Sequence, residues 1–341
     1  MQSNKTRDFS KGSVSGNILR LAGPMIFAQL INVLYNVVDR MYIGHIPDAA
    51  ANALTGVGIT FPIICIVTAF ANLFGGGGAP LFSIAWGRGN RDRAETIISN
   101  SFVLLIGTGI ALTVIVLLIK RPLLYLFGAS ANTFPYADDY MTIYLLGTLF
   151  VMVSLGMNPF INAQGFGATG MMTVVIGAVL NLLLDPLFIF VFHMGVKGAA
   201  LATVISQAIS AVWVLLFLTG KRALIRLRLS CLRPEGHRVR RIISLGLSGF
   251  FMNMTNSLVQ VVCNATLQAY GGDLYVGIMT IINSLREVFI MPIHGLTNGS
   301  QPVMGYNYGA GKPSRVRQSI QFTVGVTVAY AAVFWAVAML F

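Results

Sequence analysis

Charge is what this sequence has least of. Only 10% of its 341 residues are Asp, Glu, Lys or Arg, against about 25% in an ordinary soluble domain. With 55% hydrophobic residues, that scarcity excludes a soluble globular domain and a disordered chain alike. Cysteine is scarce too. Cys65, Cys231 and Cys263 make no even framework for disulfides and no zinc-ligand spacing. The four histidines, His45, His193, His237 and His294, are scattered without metal-binding spacing. Gly309-Ala310-Gly311-Lys312 falls short of a nucleotide loop, which needs Gly where Tyr306 stands and Ser or Thr where Pro313 stands. No nucleophile triad is visible. The sequence therefore gives no sign of an enzyme, of ATP use or of a cofactor.

Long apolar runs are abundant. A membrane-crossing helix needs about 20 mostly apolar residues. Nine such segments are expected, at about 17–43, 53–80, 97–119, 136–160, 170–193, 198–219, 242–269, 275–304 and 317–341. Turn signals separate them, among them His45 to Asp48, Gly87 to Asn90, Gly271-Gly272-Asp273 and Gly309 to Gly311. The runs lack the period-two alternation of barrel strands, so an all-α, polytopic membrane fold is predicted. The first run is too long, and too polar at Gln29, Asn32 and Asn36, to be a cleaved signal.

Most of the 23 Lys and Arg residues fall on one side if the N-terminus lies inside, whereas the opposite loops hold only Lys120, Arg121 and Lys197. The positive-inside rule then places the N-terminus on the cytoplasmic side of the membrane. Because the excess of base, a net +12, is spread over short loops, nucleic acid is not an expected partner. The basic run Lys221 to Arg241 reads as an inner-face linker that meets anionic lipid.

The chain also repeats itself. At a shift of 222, Pro80, Gly87, Gly89 and Arg93 meet Pro302, Gly309, Gly311 and Arg315. At a shift of 224, Gln29, Asn32 and Asn36 meet Asn253, Asn256 and Gln260. Six helices per unit returns the chain to the same side, so the copies are parallel and related by a two-fold along the membrane normal. The expected organisation is a six-helix lobe at 1–219, a basic linker at 220–241 and three helices of a second lobe at 242–341. A complete second copy would need roughly 100 further residues, so the chain reads as a fragment or truncated product, with nine helices of twelve.

Four motifs carry a resemblance: Val38-Asp39-Arg40-Met41-Tyr42-Ile43-Gly44; Asn181 to Pro186; Gly198 to Thr203; and Gln301-Pro302 with Gly305 to Gly311. Together they resemble the multidrug and toxic compound extrusion family, bacterial branch, over about 15–341. The resemblance implies two six-helix lobes, alternating access, and export of amphipathic organic cations against Na⁺ or H⁺. It also implies a first-lobe cation site at Asp39, Asn181, Asp185 and Thr203, and a first-helix kink at Pro24.

The residues themselves point the same way. An acid inside the membrane is costly and is functional by default. Asp39 extends the polar face of Gln29, Asn32 and Asn36, with Tyr35 one turn before it, and Asn181 and Asp185 share a face at i, i+4. Two carboxylates with amide and hydroxyl oxygens suit Na⁺ or a shared proton; no other metal is expected. The alternatives are a helix cap at Asp39 and a plain kink at Asp185-Pro186. In the repeat Asp39 meets Cys263, so the coupling site is expected in the first lobe alone. Arg286 and Glu287 point about 100° apart on one helix; with Tyr35 and Asn36 they are candidates for the substrate cavity, Glu287 as a holder of cations. The expected function is secondary active drug efflux. The rivals are a flippase for lipid-linked precursors, which should show several basic cavity residues, and a nonfunctional truncated fragment.

Overall fold

A computed structural model describes residues 8–46, 50–228 and 235–340. Among these residues every regular element is helical: α1 Val14–Ile43, α2 Ala50–Gly87, α3 Arg91–Leu126, α4 Phe134–Leu146, α5 Thr148–Ala163, α6 Gly167–Pro186, α7 Val196–Thr219, α8 Gly236–Gly309 and α9 Pro313–Leu340. Six are long and apolar enough to cross a membrane, and the bent pair α4–α5 makes a seventh. Their outer faces carry large exposed apolar side chains such as Leu118, Leu183 and Leu216, as helices in contact with lipid do.

Three expectations change. The fourth run is broken at Gly147 into two helices bent by 57°. A side chain at Gly147 would collide with Val204 of α7, so the glycine lets α7 press into the break. The fifth run ends in a π-turn, Leu187–Val191, directly after Asp185-Pro186. Proline has no N–H to bond the preceding turn, and the backbone there rearranges. The expected seventh and eighth runs, with the turn at Gly271-Gly272-Asp273, form one helical stretch of 74 residues.

That stretch doubles back. A straight helix of this length would span roughly 110 Å, against a hydrocarbon core of about 30 Å. Yet Ile242 and Gly246 lie against Gly77 of α2, while Tyr306 lies against Gly87, only ten residues further along α2. Near Ile242 the two chains run antiparallel, Leu73 meeting Gly246 and Gly77 meeting Ile242; near Gly305 they run parallel, Ser83 meeting Gly305 and Ile84 meeting Gly309. So α8 has two opposed arms, with the reversal between Phe250 and Gly295.

Close approach of backbones holds these helices together, as expected where lipid is as apolar as the side chains. Gly75 meets the backbone of Gly156, and Gly295 and Gly299 meet Ile26 and Ala22 of α1. Gly75, Gly77 and Gly78 are therefore contact points inside the continuous helix α2. Pro24 lies inside α1, whose helical run continues through it.

The segment before α1 is strapped across the arginine-rich face. Phe9 is buried, edge-on to Trp86 at 6.2 Å and Tyr306 at 5.6 Å. Asn307 Nδ2 donates to Phe9 O (3.1 Å), and Arg315 Nη2 donates to the carbonyls of Phe9, Lys11 and Gly12. Burial alone would raise the Asp8 carboxyl, but hydrogen bonds from the Ser10 hydroxyl and N–H outweigh it and hold Asp8 below its ordinary range.

The glycine contacts make a differential prediction. A Cβ on Gly246 would sit 2.8 Å from Leu73 C, whereas one on Gly249 meets nothing within 4 Å. Gly246→Ala should destabilise detergent-purified protein by about 1–3 kcal/mol, the cost of overpacking. Gly249→Ala should be neutral or slightly stabilising. Thermal unfolding of the two variants checks this; equal shifts would remove the crossing from the packing.

Candidate functional site

Four helices meet around Asp185. The i, i+4 spacing on α6 puts Asn181 and Asp185 on one face, and both are buried, at 1% and 0% exposure. Helix α7 approaches closely because Gly198 packs on the backbone of Phe188 and Ile189 in the π-turn. That contact brings Thr203 to Asn181. With its amide turned to suit its neighbours, Asn181 donates to Asp185 Oδ2 at 2.7 Å and accepts from the Thr203 N–H at 3.2 Å. In the other orientation its nitrogen reaches Thr203 Oγ1 at 3.3 Å and places its oxygen toward the carboxylate, which is unfavourable.

Helix α1 supplies the second acid. The carboxyl groups of Asp39 and Asp185 lie within hydrogen-bonding reach of each other. Tyr35, one turn earlier, has its hydroxyl beside that of Thr203. Among the described residues no donor reaches Asp185 Oδ1, which is fully buried. Two carboxyl groups can share a hydrogen bond only through a proton, or be bridged by a cation. The surrounding oxygens, from carboxylate, amide and hydroxyl groups, are hard donors that fit Na⁺. Asp39, Asn181, Asp185 and Thr203 thus lie together, and the backbone rearrangement after Asp185-Pro186 accompanies that grouping.

Two members of this site were not read from the sequence. Tyr140 and Tyr144 of α4 are buried at 5% and 4% exposure, with rings 6.2 Å apart. Tyr140 has its hydroxyl beside that of Thr203 and lies in the field of Asp39. Their signal was the four-residue spacing Tyr136, Tyr140, Tyr144, which marks a helix face without naming what it faces.

Beside the acid pair opens a cavity of about 410 Å³. Gln29, Asn32 and Tyr35 of α1 line it, with Asn72 of α2, Asn158 and Asn162 of α5, and Asn298 and Gln301 of the second arm of α8. No described lining residue is charged. The side-chain oxygens of Asn158, Asn162, Ser206 and Gln207 are buried without a donor among the described residues, so they are acceptors available to a guest. The candidates Arg286 and Glu287 fare differently. Arg286 is exposed and does not line the cavity: the α8 face that meets α1 and α2 carries Gly295, Gly299 and Gly305. The side chains of Asn36 and Glu287, and of the repeat positions Asn253, Asn256 and Gln260, lie outside the described residues.

Comparison with known proteins follows this geometry. A family profile described as MatE matches residues 24–187 and 249–341. The Multidrug export protein MepA of Staphylococcus haemolyticus is 27% identical over 333 residues, covering 97% of this chain and 72% of that protein. Its namesake from Staphylococcus saprophyticus is 28% identical over 331 residues, covering 95% of this chain and 71% of that protein. A crystal structure of MATE in complex with MaL6 superposes with a TM-score of 0.92 at 24% identity, covering 99% of this chain and 75% of that one. A transporter of the MOP superfamily from Pyrococcus furiosus, described by a reversed polarity of its binding pocket, superposes with a TM-score of 0.91 at 23% identity, covering 100% and 75%.

The Asn181–Asp185 contact is open to a double-mutant cycle. Asn181→Ala and Asp185→Ala should couple by about 0.5–3 kcal/mol in unfolding free energy, as directly bonded residues do. Asn158→Ala, in the cavity wall, should be additive with Asp185→Ala. Additivity in both cycles would mean that Asn181 does not hold the carboxylate.

Proposed function

The chain belongs to the MatE family, and from that premise we propose that it is a secondary active exporter of amphipathic organic cations, driven by inward Na⁺ or H⁺. The observation that carries this reading is the Asp39–Asp185 pair, half-buried at Asp39 and fully buried at Asp185, beside a cavity lined by neutral amides. The relatives bear on it through their printed names, which describe multidrug export.

The chemistry runs as a competition. With a proton or Na⁺ between Asp39 and Asp185 the pair carries one net negative charge instead of two, and Asn181, Thr203, Tyr35 and Tyr140 complete its shell. Loss of that cation leaves uncompensated charge in a low-dielectric interior, where attraction for an organic cation far exceeds its value in water. An entering guest would find apolar surface at Met25 and Met171 and acceptors at Asn158, Asn162 and Gln207. Amides without net charge suit guests of varied shape. The two-lobe arrangement belongs to the same proposal: α1 to α7 form the first lobe, and the two arms of α8 with α9 begin the second. Alternating access then rocks one against the other around α2 and α8.

A flippase for anionic lipid-linked precursors would require cationic groups in the cavity. The described lining has none, which favours the export reading. In cells expressing the chain, Asp39→Asn and Asp185→Asn should each cut gradient-driven efflux of a cationic dye by at least about tenfold with protein levels kept, since Asn preserves shape but cannot titrate. Efflux at wild-type rate in both variants would overturn the site. No efflux by the wild-type chain would favour the fragment reading.

A further inference from the structure

The face that carries most of the arginines is not uniformly basic. Where α3 and α8 begin, an open hollow is lined by Asn90, Asp92, Arg93, Glu235, Arg238 and Arg241. Arg93 is close enough to Arg241, Arg88 and Arg238 to feel the repulsion of all three. Three guanidinium groups, of Arg93, Arg238 and Arg241, thus share the hollow with two carboxylates, and Arg88 adds to the positive field there, an arrangement that attracts an anion. One of the carboxylates is already used: Arg238 Nε pairs with Glu235 at 3.0 Å. Arg238 Nη1 is buried with no acceptor among the described residues. None of Arg88, Arg93 and Arg241 has an ion-pair partner there either, whereas the neighbouring Arg91 and Arg228 both converge on the buried Glu95. The Asp39–Asp185 pair uses none of these groups.

The surroundings say which anion fits. Helix α3 continues from Arg93 into a span whose lipid-side residues include Ile110, Val114 and Leu118. On α8, Leu245 lies one turn beyond Arg241, is 48% exposed, and is followed by exposed Phe251 and Met252. On α3 the turns that follow Arg93 are buried against the bundle, so the exposed apolar surface next to the arginines is the α8 face that begins at Leu245. A phosphate joined to acyl chains meets both features at once; free phosphate meets only the first. We propose that the hollow between the starts of α3 and α8 is a headgroup site for an anionic phospholipid, with Arg93, Arg238 and Arg241 around its phosphate. Because α3 belongs to the first half of the chain and α8 to the second, the bound lipid ties the two halves together at this face.

The test is binding of fluorescent phosphatidylglycerol to the purified full chain in neutral detergent micelles. Arg93→Gln/Arg241→Gln should weaken binding roughly 30-fold, the effect of two basic residues at an anionic headgroup. Arg222→Gln/Arg226→Gln, on the same face outside the hollow, should weaken it by no more than about threefold. Phosphatidylcholine should fail to compete, and millimolar inorganic phosphate should displace no more lipid than sodium chloride of equal ionic strength. Equal losses in the two double variants would reduce the site to a diffuse positive field and overturn the proposal. Displacement by inorganic phosphate would make it a site for free anions and overturn the lipid assignment. If the first double variant does not fold, Arg241→Gln alone, at an exposed position, should still lose about fivefold; unchanged affinity there would also overturn it.

Discussion

Two carboxyl groups facing each other inside a helical bundle set the terms for the rest of this molecule. Both ionised and unbridged, they would repel across a medium with little screening, and each would also have lost its hydration. The fold tolerates them because donors are held in place by elements with other reasons to be where they are. Asn181 is one turn from Asp185 on the same helix. Thr203 arrives because Gly198 allows α7 to touch the π-turn. Tyr140 arrives because the bend at Gly147 directs α4 toward α1 and α7. Even so, one oxygen of Asp185 is left without a donor among the described residues. That remaining deficit is what a transported cation can fill, so incomplete satisfaction is part of the proposed function.

Packing elsewhere serves mobility as much as stability. The contacts between α2 and the two arms of α8 are backbone against backbone, through Gly77, Gly246, Gly305 and Gly309. Surfaces of this kind have few interlocking side chains, and sliding or rocking disturbs them less than it would a core of interdigitated leucines. The strap at Phe9 reinforces the same face with aromatic contacts and with charge-assisted hydrogen bonds from Arg315. Opening that face would require those bonds to break and water to replace them.

Much of this was legible in the sequence. Apolar runs of 20 or more residues required helices, and rare acids inside them had to be functional or paired. The polar stripe through Gln29 and Asn32 does line the cavity, and Asp39, Asn181, Asp185 and Thr203 do converge. Spacing could place Asn181 beside Asp185, because both lie on one helix. It could not bring Asp39 to them, because that contact joins α1 to α6 across more than a hundred residues. Tyr140 and Tyr144 were missed for the same reason. The bend at Gly147 was missed because its cause, Val204, lies on another helix. Arg286 lies outside the described cavity lining, and the sequence could not show that, because a charge in an apolar run says that a partner is needed but not on which side of the helix it lies.

The central claim, that an organic cation and the coupling ion compete for one carboxyl pair, is tested most directly by calorimetry. A permanently charged phosphonium cation would be titrated into the purified chain in buffers of different ionisation enthalpy, with and without Na⁺. The account predicts that binding displaces about one proton, or one Na⁺ when Na⁺ occupies the pair, and that Asp185→Asn abolishes the displacement. Binding that displaces neither ion at any pH between 5 and 8, with unchanged affinity in Asp185→Asn, would contradict it.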